Sequence, residues 1–189
     1  MLKVKKALAV LCTAILAITL AGCSFGKDIH QKIHDKFYMM KDYTAECTLT
    51  VVSQKNKTDY DFVCNYKSTD NSYEVIYDDI SVNILKDSAK ITKGNAVLDI
   101  PVKNEDMLIF INTFFKNYYE GEESVQKTSG TENAGSTLLE CSINSPSQGA
   151  DKMKLWIDNK SVTPKRMQVL NGDKVKIEVD FKKFEFTKQ

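Results

Sequence analysis

Two histidines near the start of the chain are the residues best placed to share a metal ion. His30 and His34 are four positions apart, and Asp35 follows directly. At this spacing on a helix, two imidazoles can reach one zinc ion. The sequence has only these two histidines, so a zinc site would need aspartate or cysteine ligands from elsewhere. We interpret the pair as the polar side of a helix, and we predict no metal or cofactor.

The remaining residues offer no arrangement for catalysis. Neither a Ser-His-Asp nor a Cys-His site can be built, because no histidine follows residue 34. The acidic pairs at 78–79 and 122–123 are adjacent, so in an extended chain their side chains would point to opposite faces. Phosphate-binding and EF-hand loop motifs are missing from the sequence. We therefore predict that the protein is not an enzyme.

Three cysteines lie in the body of the chain, and their spacing excludes paired CxxC metal ribbons. Cys47 and Cys64 fall on neighbouring predicted strands, where an exported protein could form a disulfide. Small core side chains are the alternative for this pair. Cys141 lies between Leu139 and Ile143 in an alternating pattern, which predicts a core position.

The charge balance restricts the class of partner. The 189 residues include 26 basic and 25 acidic side chains, and 42% of the residues are hydrophobic. This composition is typical of one globular domain. A net charge of +1 does not supply the basic field that non-specific nucleic-acid binding requires, so no nucleic acid is expected as a partner.

The first 23 residues form an export and anchoring signal. Three lysines at positions 3, 5 and 6 precede an apolar run over residues 7–20, which is too short to span a membrane. The run ends in the Leu-Ala-Gly-Cys sequence of residues 20–23, which resembles the lipobox of bacterial lipoproteins. The resemblance implies removal of residues 1–22 and an S-diacylglyceryl group on Cys23, with N-acylation left open. Two acyl chains would hold the protein on a bilayer.

Residues 23–41 are predicted to be the lipidated N-terminus followed by an amphipathic helix. Ile29, Ile33, Phe37 and Met40 recur every three or four positions, the period of one helix face. The apolar stripe is narrow and has no lysine cluster beside it. We expect this helix to dock on the protein body and not on the membrane.

From residue 42 to residue 189 the pattern predicts one antiparallel domain. Strands are predicted over 43–53, 58–67, 71–77, 80–86, 88–92 and 95–100, with polar turns between them. A two-residue loop at positions 55 and 56 would set the register of the first pair. In that register the directly opposite residues are Cys47 and Cys64, Leu49 and Phe62, and Val51 and Tyr60. Aromatic residues at strand spacing indicate a core face or a ligand cavity.

A second helix is predicted over about 104–119, with Asn104 as its N-cap. Apolar residues cover more than half of its circumference, which requires burial against the apolar face of the sheet. Residues 120–136 are polar and predict exposed turns around a short strand.

The last third of the chain predicts strands over 136–144, 152–158, 164–170 and 173–186, with a hairpin turn at Asn171 and Gly172. The Leu-Trp-Ile-Asp strand end at 155–158, the Pro-led strand from 164 and the glycine hairpin resemble the end of the LolA/LolB lipoprotein-carrier superfamily. That resemblance implies an α+β, β-rich fold: a strongly curved antiparallel half-barrel covered by the N-terminal helix and the inserted helix.

Within that superfamily, the lipobox, the length and the lysine-rich composition resemble the clostridial spore-germination lipoproteins of the GerS type. Those proteins bind and activate a cortex-modifying N-acetylmuramoyl-L-alanine amidase. The resemblance implies the same partner and an anchored position in the forespore envelope of a Gram-positive spore former. A carrier or sensor that binds an acyl chain or a lipoprotein in the concave face is the alternative. An exposed strand edge could also form a homodimer.

Overall fold

The structure, a computed structural model, describes residues 28–53, 56–121, 124–128, 135–147 and 149–187. The predicted signal peptide over 1–22 and the predicted lipidation site Cys23 lie outside these residues. The helices are α1 (Ile29–Phe37), a 3₁₀ helix (Asn104–Ile109) and α2 (Ile111–Glu120). None of the helices in the described ranges is long and apolar enough to cross a bilayer.

Eleven described strands form one antiparallel sheet, which confirms the predicted fold class. Their spatial order is β6-β5-β4-β3-β2-β1-β11-β10-β9-β8-β7, and the sheet is curved and open. The strands are β1 (Tyr43–Val52), β2 (Lys57–Lys67), β3 (Ser72–Tyr77), β4 (Ile80–Leu85), β5 (Ser88–Lys93), β6 (Ala96–Pro101), β7 (Ser124–Thr128), β8 (Ser136–Ser147), β9 (Ala150–Asp158), β10 (Pro164–Asn171) and β11 (Lys174–Phe186).

Strands β3 to β6 form a regular meander, which we call the wing. Each of its four strands has six residues, and each consecutive pair is joined by a two-residue loop. The first loop residues are Asp78, Lys86 and Gly94, and all three have positive φ. Two-residue hairpin loops need this left-handed conformation to match the twist of the strands. The eight-residue repeat therefore sets the register of the whole wing.

The register of β1 and β2 differs from the prediction by two residues. Cys47 lies opposite Phe62, Leu49 lies opposite Tyr60, and Cys64 lies opposite Ala45. The cause is the hairpin end, where the Ser53 amide donates to the Asn56 carbonyl at 2.9 Å, so that the connection begins one residue earlier than predicted. Because the shift is even, every side chain keeps its predicted face. Only the partners across the strands change.

The inserted helix is two helices, and the continuous helix predicted over 104–119 is wrong. Phe110 separates the 3₁₀ helix from α2 with extended backbone angles of −99° and 137°. Its buried ring stacks on Tyr73 of β3 at 4.1 Å. The predicted N-cap is also wrong. Lys103 is the N-cap residue, and Asn104 is the first residue of the 3₁₀ helix. The Asp106 carboxylate accepts from the Lys103 amide at 2.9 Å.

Helix α1 docks on the protein body, as predicted. Ile33 and Phe37 are buried, and burying side chains of this size contributes about 1.5 to 3 kcal/mol each. The Phe37 ring stacks on Phe115 of α2 at 4.5 Å. Lys36 donates to the carbonyl of Ser161 at 2.9 Å, and partial burial lowers the pKa of this lysine. Met40, the last residue of the predicted stripe, follows the end of the helix and is partly buried.

Strands β8 to β11, which we call the covered half, carry the densest part of the core. Helix α2 contacts β8, and the 3₁₀ helix contacts β10. The buried strand residues there alternate with polar ones, and six of them are Leu139, Met153, Leu155, Ile157, Met167 and Val169. The hairpin between β10 and β11 has its loop at Gly172 and Asp173, one residue later than predicted.

The residue that ends the Leu-Trp-Ile-Asp motif shapes the turn after β9. One oxygen of the Asp158 carboxylate accepts from the amides of Lys160 and Ser161 at 3.0 and 2.8 Å. The other oxygen pairs with Lys165 at 2.8 Å. These bonds hold the pKa of Asp158 well below its usual range. Asp158 therefore has a structural role in the turn that returns the chain into β10.

Candidate binding surface

The face of the sheet that packs against the helices, which we call the inner face, is apolar from its centre to the β6 edge. Six residues lie opposite one another in succession from β1 to β6 along one row: Ala45, Cys64, Val75, Val82, Ile91 and Leu98. The neighbouring row consists of Tyr43, Tyr66, Tyr73, Ile84, Ala89 and Ile100. The wing thus extends the core surface by four strands.

Side chains in the first of these rows become progressively more exposed towards β6, and in the second row Ile100 on β6 is the exposed residue. Ala45 and Cys64 are buried, Val75, Val82 and Ile91 are half-buried, and Leu98 is 58% exposed. The helices explain the gradient, since α2 lies on β8 at the other side of the sheet. An apolar surface that continues from the core into solvent is typical of an interaction site. We take the inner face of the wing as the candidate binding surface.

Strand β6 ends the wing and is exposed along its whole length. Leu98 and Ile100 belong to the inner face, whereas Val97 belongs to the outer face and is 55% exposed. An edge strand has unpaired backbone groups on one side and can accept another strand. Apolar side chains beside such an edge favour strand addition by a partner.

The outer face of the central strands is polar. Thr48 and Lys182 both donate to the Asp61 carboxylate, at 2.6 and 2.8 Å. The Asn65 amide donates to Glu74 at 3.1 Å, and Arg166 pairs with Asp180 at 2.8 Å. Exposed pairs of this kind contribute little stability, and they keep the face solvated. The two faces of the sheet therefore differ in chemistry, and only the inner one suits an apolar partner.

The three body cysteines are buried free thiols in the structure. Since Cys47 and Cys64 are not directly opposite, the geometrical reason for expecting a disulfide between them is removed. Burial raises the pKa of Cys64 and of Cys141 to about 12, and it raises the pKa of Cys47 further. Cys141 occupies the predicted core position, with its sulfur 3.9 Å from the Phe114 carbonyl oxygen. These thiols lack the exposure and thiolate character that reactive cysteines need.

The two histidines lie on α1, as predicted, and His34 packs among aromatic residues. The His34 ring stacks on Tyr38 at 4.6 Å and meets Tyr119 edge-on at 5.6 Å. Asp35 lies 3.9 Å from His34 Nδ1. In the ranges that the structure describes, no three histidine, cysteine or acidic residues are grouped so that they could hold a metal ion.

A half-open groove of about 410 Å³ lies between the end of α1 and one side of α2. Four aromatic side chains and one methionine form most of its wall, and three polar side chains of α2 form the rest. The lining residues are Phe37, Tyr38, Met40, Asn112, Phe115, Lys116, Tyr119 and Glu120. The Asn112 oxygen accepts from the hydroxyl of Tyr43 at 2.9 Å, which ties the groove wall to β1.

Sequence reasoning missed this groove, although adjacent aromatic residues gave a signal. Phe37 is followed by Tyr38, and Tyr118 is followed by Tyr119. Neighbours on a helix point about 100° apart, so both members of such a pair cannot lie on one buried face. In the structure Phe37 and Tyr118 are buried, whereas Tyr38 is 61% exposed and Tyr119 is half-buried.

Comparison with family models gives a match over residues 3–189 to the family described as "Sporulation protein YdcC-like". A search of curated protein sequences finds no match. The family match spans nearly the whole chain, including the N-terminal segment and all described elements.

Solved structures from several bacteria have a similar arrangement of elements. A chain from the structure of the CwlD amidase from Clostridioides difficile in complex with the GerS lipoprotein is 24% identical, covers 84% of this chain and 94% of that chain, and gives a TM-score of 0.48. An uncharacterized conserved protein from Thermus thermophilus is 13% identical over 86% of this chain and 90% of that chain, with a TM-score of 0.50. Lipoprotein LppX from Mycobacterium tuberculosis is 11% identical over 82% and 92% of the respective chains, with a TM-score of 0.47.

Proposed function

The chain belongs to the YdcC-like family of sporulation proteins, and from this premise we propose that it is a lipid-anchored envelope protein that binds and activates another protein. The proposed partner is a cortex-modifying N-acetylmuramoyl-L-alanine amidase. The proposal rests on one structural observation above all, the exposed apolar residues Leu98 and Ile100 on the inner face of β6, the edge strand of the wing.

The anchor in this proposal is Cys23. Its lipobox context supports lipidation, and helix α1 leaves no apolar stripe for the membrane because Ile33 and Phe37 are buried in the fold. Five residue steps separate Cys23 from Asp28, where the described chain begins. A chain of that length reaches at most about 17 Å. Lipidation would therefore hold the folded domain close to the bilayer surface, where wall-modifying enzymes act.

The amidase is proposed as the partner on two grounds. The family is one of sporulation proteins, and the sequence resembles the GerS-type lipoproteins. A protein without catalytic side chains can still raise the activity of an enzyme by stabilising its competent conformation. In this arrangement the zinc ion and the bond-breaking residues belong to the amidase, and this chain contributes a binding surface.

Two substitutions on the same strand test the proposal. Leu98→Asp places a charge on the inner face of β6, and Val97→Asp places the same charge on the outer face, at nearly equal exposure. We expect Leu98→Asp to weaken binding of the amidase by about tenfold or more, because a charge would be desolvated in the interface, whereas Val97→Asp should change it by less than about twofold.

The measurement is biolayer interferometry of residues 24–189 against the amidase of the same organism. This segment contains every described element of the fold. Zinc-dependent release of peptide from cortex peptidoglycan, measured with and without this chain, reports activation. Equal binding by both variants would remove the wing from the interface. Peptide release by the metal-stripped chain alone would refute the non-enzymatic role.

A carrier of acyl chains is the second candidate, because the same inner face offers apolar surface to a lipid. Against it, Phe114 and Phe115 of α2 are buried in the core beneath the helices, where they occupy space that a lipid would need. Native mass spectrometry of the unlipidated domain after exposure to membranes separates the two functions. Co-purified lipid with no amidase complex would favour the carrier.

A further inference from the structure

The groove between α1 and α2 has the chemistry of a ligand site, and it is separate from the wing. Its wall on α2 is formed by Asn112, Phe115, Lys116, Tyr119 and Glu120. These positions recur every three or four residues and therefore form one continuous stripe along the helix. Phe37, Tyr38 and Met40 close the groove on the side of α1. A volume of about 410 Å³ is within the range typical of small-molecule sites.

The aromatic rings of the groove hold one another in place. Tyr38 is stacked on His34 at 4.6 Å, and Tyr119 is stacked on Phe115 at 5.7 Å. Tyr38 and Tyr119 meet edge-on at 5.5 Å. Since each ring is fixed by a neighbour, a ligand that stacks on this wall would not need to order it first. Tyr38 keeps most of its surface in solvent, and 61% of it is exposed.

One polar atom of the wall has no partner among the described residues. The Tyr119 hydroxyl is buried and makes no hydrogen bond there. Burial raises the pKa of Tyr119 to about 12, so the hydroxyl stays protonated and can donate. A buried hydroxyl without a partner is unfavourable, and a ligand oxygen would relieve that cost. Asn112 holds this wall in place, because its side chain hydrogen-bonds both Tyr43 and Tyr66.

The charges at the groove balance each other. Lys116 and Glu120 both line it, and they lie one turn apart on α2, where both are exposed. An anion would be repelled by Glu120, a cation would be repelled by Lys116, and an acyl chain would leave the Tyr119 hydroxyl without a partner. The groove suits an uncharged ligand that has flat C–H faces and hydroxyl or amide groups at its edges. A pyranose ring has this combination.

From this combination the geometry points to a saccharide site. We assign the groove to an oligosaccharide of N-acetylated hexosamines, in which the pyranose faces pack on Tyr38 and Tyr119 and the ring substituents bond the Tyr119 hydroxyl and the side chains of Lys116 and Glu120. The choice of N-acetylated sugars rests on the proposed envelope function, because the glycan of peptidoglycan is built from them. The chain would then hold the glycan strand while its partner cleaves the attached peptide.

Chitotetraose, a soluble tetramer of N-acetylglucosamine, is the probe for this site. We expect its titration into ¹⁵N-labelled residues 24–189 to shift the amide signals of the α1 end and of α2, and to leave those of the wing unchanged. Tyr38→Ala should lower the affinity about tenfold, since it removes an exposed stacking face. Met39→Ala is the matched control, because Met39 is 79% exposed and does not line the groove; its affinity should equal that of the unmodified chain.

Tyr119→Phe separates ligand binding from structure. The hydroxyl makes no bond within the described fold, so its removal should leave the melting temperature unchanged or higher. Affinity for chitotetraose should nevertheless fall about fivefold, as expected for one hydrogen bond. Absence of binding, signal shifts confined to other elements, or equal affinities for all three variants would overturn the assignment.

The amidase interface and the saccharide site can be tested independently of each other. Leu98→Asp, which tests the amidase interface, should leave chitotetraose binding intact. Tyr38→Ala should leave amidase binding intact. Loss of sugar binding with Leu98→Asp would show that the groove is not an independent site.

Discussion

The covered half and the wing are built from the same alternation of apolar and polar residues, yet they differ in what lies on the inner face. In the covered half, Leu139, Leu155 and Met167 are fully buried beneath the helical layer. In the wing, several inner residues from β3 to β5 are only half-buried, and Leu98 and Ile100 on β6 are exposed.

The difference indicates that one half of the sheet stabilises the fold and that the other half retains an apolar surface at its edge. Burial of the covered half stabilises the fold, because each fully buried aliphatic side chain contributes about 1.5 to 3 kcal/mol. The wing retains an apolar surface that contributes less to the fold. A protein that depended on the wing for stability would gain by covering it. An uncovered wing is therefore better explained by a partner that covers it on binding.

Phe114→Ala tests the covered half directly. The side chain is fully buried between α2 and the sheet, so its removal should lower the free energy of unfolding by about 3 to 5 kcal/mol. Urea unfolding followed by circular dichroism of residues 24–189 gives the value. A loss below about 1 kcal/mol would mean that the helical layer contributes little and that the two regions do not differ as described.

Asp158→Ala tests the turn that anchors the covered half. Its carboxylate bonds two amides and Lys165, and the loss of these charged hydrogen bonds should cost about 2 kcal/mol. The folded pKa is depressed, so the contribution is present above the unfolded value of about 4 and is lost as the pH falls below it.

The measurement is the melting temperature of the unmodified chain and of Asp158→Ala from about pH 7 to about pH 3. The unmodified chain should lose stability over this range more steeply than Asp158→Ala does. If the stability of the two proteins fell with pH in parallel, protonation of Asp158 would not be the cause of the loss. Asp151→Ala serves as a control, since its carboxylate also bonds a turn amide, that of Gly172, but without a lysine partner in the described contacts.

Thiol labelling sharpens the contrast between the regions. Cys141 lies on β8 in the covered half, whereas Cys64 lies on β2, next to the wing. Both thiols are buried, and they become reactive only through local opening. If the wing opens more readily, Cys64 should react with a maleimide about tenfold faster than Cys141 under native conditions.

Mass spectrometry of single-cysteine variants measures the two rates. Labelling after unfolding without reductant should reveal three thiols in a chain that lacks residues 1–23. A single reactive thiol would instead demonstrate a disulfide, and equal native rates would argue against easier opening of the wing.

Leu98→Ala should have the smallest effect on the isolated protein. The side chain is more than half exposed, so its truncation should change the free energy of unfolding by less than about 0.5 kcal/mol. The same substitution should weaken amidase binding if the wing is the interface. A large destabilisation would assign the wing a structural role and weaken the proposal.

Much of the fold follows from local patterns. The short strands and polar turns of the wing and the helical period of α1 were predicted from the sequence, because turn and periodicity signals depend on near neighbours. The cross-strand partners of Cys47 and Cys64 were predicted wrongly, since shifting a hairpin connection by one residue moves every partner by two without changing the faces. Phe110 was also misread, because its extended backbone is accompanied by stacking on Tyr73, 37 positions earlier in the chain.

The candidate surfaces were only partly predictable. The alternating residues of the wing indicated an apolar face, but alternation does not say whether a helix lies over it. The groove needed the positions of two helices that are far apart in the chain. Tyr38 and Tyr119 become neighbours only because Phe37 stacks on Phe115 and brings α1 onto α2.

Residue types and short spacings were enough to predict most of the strands, the turns to within about one residue, and the resemblance to a lipoprotein superfamily. Which part of the apolar face is covered follows only from the folded arrangement. Interruption of the helical segment at Phe110 and the packing of α2 on β8 leave the inner face of β6 in solvent. That outcome depends on long-range packing, which no local pattern encodes.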